Sequence, residues 1–225
     1  AQSLILARCQ DKPDWQNIRG VQIDVDLKRG FTVKAAYNAN DLIVRYEVRS
    51  PSQLVNSNPE TQLLFKGGNL LDIQIAADPD ADPKREKPAP GDVRILVTRR
   101  ADKPFAAVYR PKVAGFSGDR IVFTSPTGRE EFDKIEFWDD VKLDYEKTDG
   151  GFNAVVHLPL AKLGLTPKPG TMQKMDVGYI FGNETGNSTS MRCYWSNHSM
   201  TSGVTQDIPN EARLEPAQWG NATVE

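Results

Sequence analysis

A chain of 225 residues is long for one average domain, but β-sandwiches and barrels reach this length as single units, so one extended core spanning 1–225 is the default. With 28 basic side chains against 30 acidic ones, the formal net charge of -2 gives no footing for a polyanion, which sets nucleic acid aside. The hydrophobic fraction of 39% speaks against disorder, and no apolar run approaches the roughly 18 to 20 residues of a membrane-spanning helix.

Along the chain, Ala1 to Ala7 hold too short an apolar stretch for a whole signal peptide and lack a basic leader, which reads as a chain already processed or excised from a longer one. Period-two alternation then recurs, as half-buried strands require because successive side chains point to opposite faces. Val21 to Leu27 and Thr32 to Tyr37 come first. The clearest case is Asp41 to Arg49, where Leu42, Val44, Tyr46 and Val48 share one side and Arg45, Glu47 and Arg49 the other. Similar runs follow at Leu70 to Ala77, Val93 to Arg99, Phe105 to Tyr109, Ile121 to Thr124, Ile135 to Tyr145, Phe152 to Leu158, Asp176 to Phe181 and Met191 to Trp195.

About eleven strands result, separated by breakers such as Gly67-Gly68-Asn69 and Thr148-Asp149-Gly150-Gly151. Short strands with frequent turns predict an all-β, antiparallel β-sandwich. A single helical turn is expected at Leu160 to Leu165, entered through Pro159 and stopped by Gly164. The proline-rich, charged segment 78–91 reads as a long exposed loop joining neighbouring strands.

Reactive chemistry finds little support. No Gly-x-Ser-x-Gly turn exists, and of the two histidines His157 lies inside an apolar strand, where a structural role is the ordinary one. Acidic residues are too numerous to single out a glycosidase pair. Asp78, Asp80 and Asp82 alternate like the start of a calcium loop, but Pro83 and Ala89 stand where an EF-hand needs glycine and glutamate. A nonstandard structural calcium site on those three residues, or on Asp139 and Asp140, stays open.

Cys9 and Cys193 form no metal or redox motif, and whether they are bridged also stays open. His157 with Met175 or Met191 is the one pair that a haem reading could use. Four Asn-x-Ser/Thr triplets, at Asn183, Asn187, Asn197 and Asn221, could accept glycans in a eukaryotic secretory pathway.

Sugar recognition asks for aromatic faces that stack on a pyranose, ringed by planar polar groups that bind hydroxyls. Asp72 and Gln74 share a strand face opposite Leu71, Ile73 and Ile75, while Arg94 points away from Val93, Ile95 and Val97. Further on, Tyr194-Trp195-Ser196-Asn197 ends a strand with an indole and an amide at its mouth. The plainer alternative makes Trp195 a cap on the core and Asp72–Arg94 a structural ion pair.

Several stretches together resemble the family 9 carbohydrate-binding modules and their DOMON-like relatives. They are Asp14-Trp15, Ala36 to Val44, Gly67 to Ile75, Val156 to Leu165, Arg192 to Asn197 and Asp207 to Gly220. The resemblance implies a noncatalytic sandwich that clamps a sugar end between two aromatic rings, with structural calcium elsewhere. It assigns Asp72 to the pocket's acidic residue, Arg94 to its arginine and Trp195 to its later aromatic. Phe65-Lys66 falls where the first tryptophan would stand, and Asn69 and Val155 depart from the family's acidic residues.

The expected ligand-binding set is therefore Phe65, Asp72, Gln74, Arg94, Trp195 and Asn197. The expected partner is a carbohydrate, and the expected setting is a larger secreted, periplasmic or cell-surface protein. A DOMON-type haem or redox module, or an adhesive sandwich without a small ligand, are the alternatives.

Overall fold

In the computed structural model of the chain, residues 2–200 and 207–225 are described, Met200 by its backbone alone. Strands fill most of it. The first half of the chain supplies β1 (Ile5–Arg8), β2 (Val21–Asp24), β3 (Gly30–Tyr37), β4 (Asp41–Arg49), β5 (Leu70–Ala76), β6 (Asp92–Arg100) and β7 (Lys103–Arg110). The second half supplies β8 (Ile121–Ser125), β9 (Gly128–Phe132), β10 (Lys134–Trp138), β11 (Lys142–Thr148), β12 (Gly151–Pro159), β13 (Met172–Gly182), β14 (Thr189–Tyr194) and β15 (Gly220–Val224). Among the described residues, helix is confined to the short α1 (Leu160–Leu163) and α2 (Ile208–Ala212) and to 3-10 turns at Thr61–Lys66, His198–Met200 and Pro216–Gln218.

The all-β, mostly antiparallel sandwich expected from the alternation is what forms. The run read as one strand from Ile135 to Tyr145 is two strands, β10 and β11, on opposite edges of the sheet. Asp139, Asp140 and Val141 carry the chain across between them, and the continuous hydrophobic pattern hid the break. Strands β1, β9 and β15 are four or five residues long, too short for their periodicity to stand out.

A single 13-stranded sheet runs in the order β10-β7-β6-β5-β13-β15-β1-β3-β4-β12-β11, with β14 beside β13 and β2 beside β3. It doubles over on itself. The turn falls at β15 and β1, where β1 pairs in parallel with both β15 and β3 and so ties the two ends of the chain into the middle of the sheet. The halves close on a shared aromatic core, in which Tyr179 of β13 meets Phe31 of β3 at 5.9 Å and Phe152 of β12 at 6.1 Å between ring centroids. Burying each such side chain stabilises the fold by about 1.5–3 kcal/mol, so this seam sets how the halves stack.

A second apolar cluster lies on the outer face of the β10-β7-β6-β5-β13 half. The hairpin β8–β9, the 3-10 turn carrying Phe65, and the α2-to-β15 segment form a third layer over it. Phe65 meets Phe123 at 6.1 Å and Tyr109 at 5.9 Å, and Tyr109 meets Phe132 at 5.6 Å. As a result β5 is buried at every position, on both faces. That layer decides what becomes of the polar residues on β5 and β6.

Candidate functional site: a sealed polar centre and the clefts around it

Adjacent antiparallel strands put Gln74 directly opposite Arg94, with Asp72 one pleat along on the same face. The Arg94 guanidinium donates to both Asp72 oxygens, Nη2 to Oδ2 at 2.7 Å and Nε to Oδ1 at 3.1 Å. Tyr194 on β14 donates its hydroxyl to Asp72 Oδ2 at 2.6 Å. From the third layer, the Glu211 carbonyl accepts from Arg94 Nη1 at 2.7 Å, and Trp219 Nε1 donates to Gln74 Oε1 at 2.9 Å. A second ion-paired group adjoins it, where the Glu211 carboxylate accepts from Arg192 Nη2 at 2.8 Å and from Lys66 Nζ at 2.9 Å.

Burial governs the electrostatics. Asp72 and Glu211 are 0% exposed, and Arg94 and Arg192 are 1% exposed. Burial alone would pull Arg94 down, but Asp72 beside it outweighs that and raises its pKa, so the guanidinium keeps its charge. The Tyr194 phenol is pushed up by burial and by Asp72, so it remains a donor. Every lone pair that Asp72 directs at a neighbour meets a protein N–H or O–H, an arrangement that locks side chains in place.

Of the expected ligand-binding residues, Asp72, Gln74 and Arg94 do come together, with Phe65 in the layer that covers them and 5.8 Å from the Arg94 guanidinium, but buried rather than at an open mouth. The accessible hollow read from the sequence is therefore filled by the chain itself. The side chain reaching Asp72 from β14 is Tyr194, not Trp195. Alternation sends Cys193 to the opposite, inner face, and half-buried Trp195 packs against that same inner core, over Gly220 and with Nε1 donating to the Gln2 carbonyl. Asn197 is a loop anchor, its backbone N–H donating to Asp176 at 2.7 Å and its amide to Glu215 at 2.9 Å. Sequence reasoning missed Tyr194, Arg192 and Glu211, although the i, i+2 spacing of Arg192 and Tyr194 could have placed them on one face.

The acidic residues considered for calcium do not converge, and no group of three or more metal-ligating side chains occurs among the described residues. Asp78 and Asp82 cap turns within their own loop by accepting from the backbone N–H groups of Asp80 and Lys84, and Asp140 pairs with Lys162 at 3.1 Å. The pair suggested for haem is split. His157 projects from β12 away from the core toward Asp41 and Asp144, whereas Met175 is fully buried inside and Met191 packs against that same inner core. Cys9 and Cys193 are both free thiols.

What remains open to solvent lies at the margins. Phe105 and Phe137 form a stacked pair on the β7–β10 edge, 6.0 Å between centroids, with Phe137 exposed and the Arg100 guanidinium 5.4 Å above Phe105. One cleft of about 860 Å³ lies beside Cys9, Tyr37 and Pro167, and another of about 640 Å³ lies beneath the loop 78–91.

These features define an all-β sandwich with a polar centre sealed inside a third layer and open clefts at its rim. In fold it is similar to carbohydrate-binding modules. A family 9 module from Caldicellulosiruptor kristjanssonii in complex with glucose superposes with a TM-score of 0.59 at 10% identity, over 100% of this chain and 96% of that one. The family 9 module from the same organism in complex with cellotriose gives a TM-score of 0.56 at 11% identity, over 98% and 93% of the two chains. No protein-family model matches the sequence, and no curated protein matches it.

Proposed function

We propose that this chain is a noncatalytic carbohydrate-binding module, working within a larger secreted, periplasmic or cell-surface protein where polysaccharide is met. The observation that carries the reading is the whole-chain likeness of fold to modules whose complexes hold glucose and cellotriose. The stacked pair of exposed Phe137 and half-buried Phe105, with an arginine over Phe105, supplies the kind of platform on which a pyranose stacks. No helix among the described residues is long and apolar enough to cross a membrane.

A glycan array followed by titration calorimetry tests the reading. Retention of at least one saccharide, with binding weakened by Phe137→Ala or by substitutions in a cleft, is the expected result. Failure of every neutral and acidic saccharide to bind the folded chain would overturn it. The second reading is a structural or adhesive sandwich without a small ligand. It is favoured by the burial of Asp72 and Arg94, the residues best suited to holding a sugar.

A further inference from the structure

The cleft beneath the loop 78–91 is lined by three cations, Arg85, Lys168 and Lys174, against the single carboxylate of Asp78. Their engagements differ. Arg85 is nearly buried and committed, its Nε donating to Asp92 Oδ2 at 2.9 Å and its Nη1 to the Asp82 carbonyl at 2.8 Å. Lys174 is partly buried on β13 and donates once, to the Trp219 carbonyl at 3.1 Å. Neither Lys174 nor Lys168 makes an ion pair with a described carboxylate, and Asp92, itself held by Arg85, acts on Lys174 only at longer range. Lys174 is pulled below the usual lysine range first by burial and then by Arg85, with Asp92 opposing them, and an anion in the cleft would act in the same direction as Asp92.

The remaining walls fit a sugar ring. Pro79, Pro83 and Met172 supply an apolar strip, with Met172 64% exposed, and Asn221 adds an amide that can meet hydroxyls. A volume of about 640 Å³ falls within the roughly 300–1,000 Å³ of small-molecule sites. We infer that this cleft is a binding site for an acidic saccharide, with the carboxylate of a hexuronic acid unit on Lys174 and Lys168 and the ring laid on the proline and methionine wall. The inference rests on the carbohydrate-binding reading and names its ligand class.

Calorimetry on the full chain with trigalacturonate, cellotriose and free glutarate tests it. The expected result is that trigalacturonate binds at least tenfold tighter than either of the others. That preference should fall about tenfold in Lys174→Met, survive in Lys174→Arg, weaken in Lys168→Gln and diminish as salt rises. Circular dichroism of each variant separates lost binding from lost fold, and Lys168→Gln, at an exposed position, reports even where Lys174→Met unfolds. Equal binding of cellotriose and trigalacturonate, or trigalacturonate binding unchanged by both lysine variants, overturns the site while leaving the carbohydrate-binding module standing. Tight binding of glutarate overturns the saccharide class in favour of a simple carboxylate site, and absence of all saccharide binding overturns both proposals.

Discussion

Asp72, fully buried, accepts from Arg94 and Tyr194 and, at 3.5 Å, from the Gln74 amide. Removing one member of a buried pair strands the other's charge, which typically costs about 3–5 kcal/mol, whereas replacing both by apolar residues of similar volume is often nearly neutral. Urea denaturation of Asp72→Ala should show a loss of that order, and Asp72→Leu combined with Arg94→Met should recover most of it. A single variant as stable as the parent would mean that the centre is not closed as described.

Asp176 behaves differently, because its carboxyl is pushed up to about 7 by burial despite accepting from the backbone N–H groups of Val177, Ser196 and Asn197. The unfolded chain releases that proton near 3.8. Between these values the native state holds a proton that the unfolded state has given up. Its stabilising contribution is therefore full below about pH 4 and is lost as pH rises toward 7. The unfolding free energy of the parent minus that of Asp176→Asn should decline from pH 4 to pH 8, with a slope of at most about 1.4 kcal/mol per unit. A flat difference would refute the assignment. Among the thiols, native labelling with a maleimide should reach half-buried Cys9 alone. Cys193, buried and pushed up to about 11 by that burial, should react only in denaturant.

At the level of elements, the β6–β7 hairpin turns through Ala101 and Asp102 at φ of 46° and 64°. Paired positive φ angles are the signature of a tight hairpin turn that favours asparagine and glycine, and alanine there is strained by about 1–2 kcal/mol. Ala101→Asn should raise the urea midpoint by the equivalent of about 1 kcal/mol; a lower midpoint would contradict the turn geometry. The β8–β9 hairpin belongs to a separate two-stranded sheet that adheres through Phe123 and Phe132 rather than through ladder bonds to the main sheet. Phe132→Ala should therefore cost about 3–5 kcal/mol, measured by thermal and urea unfolding, because the cavity opens beneath the whole third layer.

For the molecule as a whole, the strands legible in the sequence were those with one polar and one apolar side, such as β4 and β12, whose alternation maps directly onto burial. Strand β5 carries the same alternation, yet every one of its residues is buried. Asp72 and Gln74 were recognisable as polar residues on a common face, and Arg94 as their neighbour. Period two tells which residues share a face but not what lies on it. Trp195 drew attention as the more conspicuous aromatic, while Tyr194, one residue earlier and therefore on the other face, makes the contact. Nor could the lysines that line the cleft under the loop 78–91 be grouped, since Lys168 and Lys174 come to share a cleft with Arg85 only after long-range pairing of β5, β13 and β15.

By itself the sequence determined the all-β class, most of the strands and which residues share a face, because backbone alternation and turn chemistry are local. Tertiary structure alone decided that the sheet folds over at β1 and β15, that a third layer seals the polar face, and that the open clefts lie at the margins. Each of these depends on which distant surfaces meet, and burial of apolar area is non-directional, so no local pattern specifies its partner.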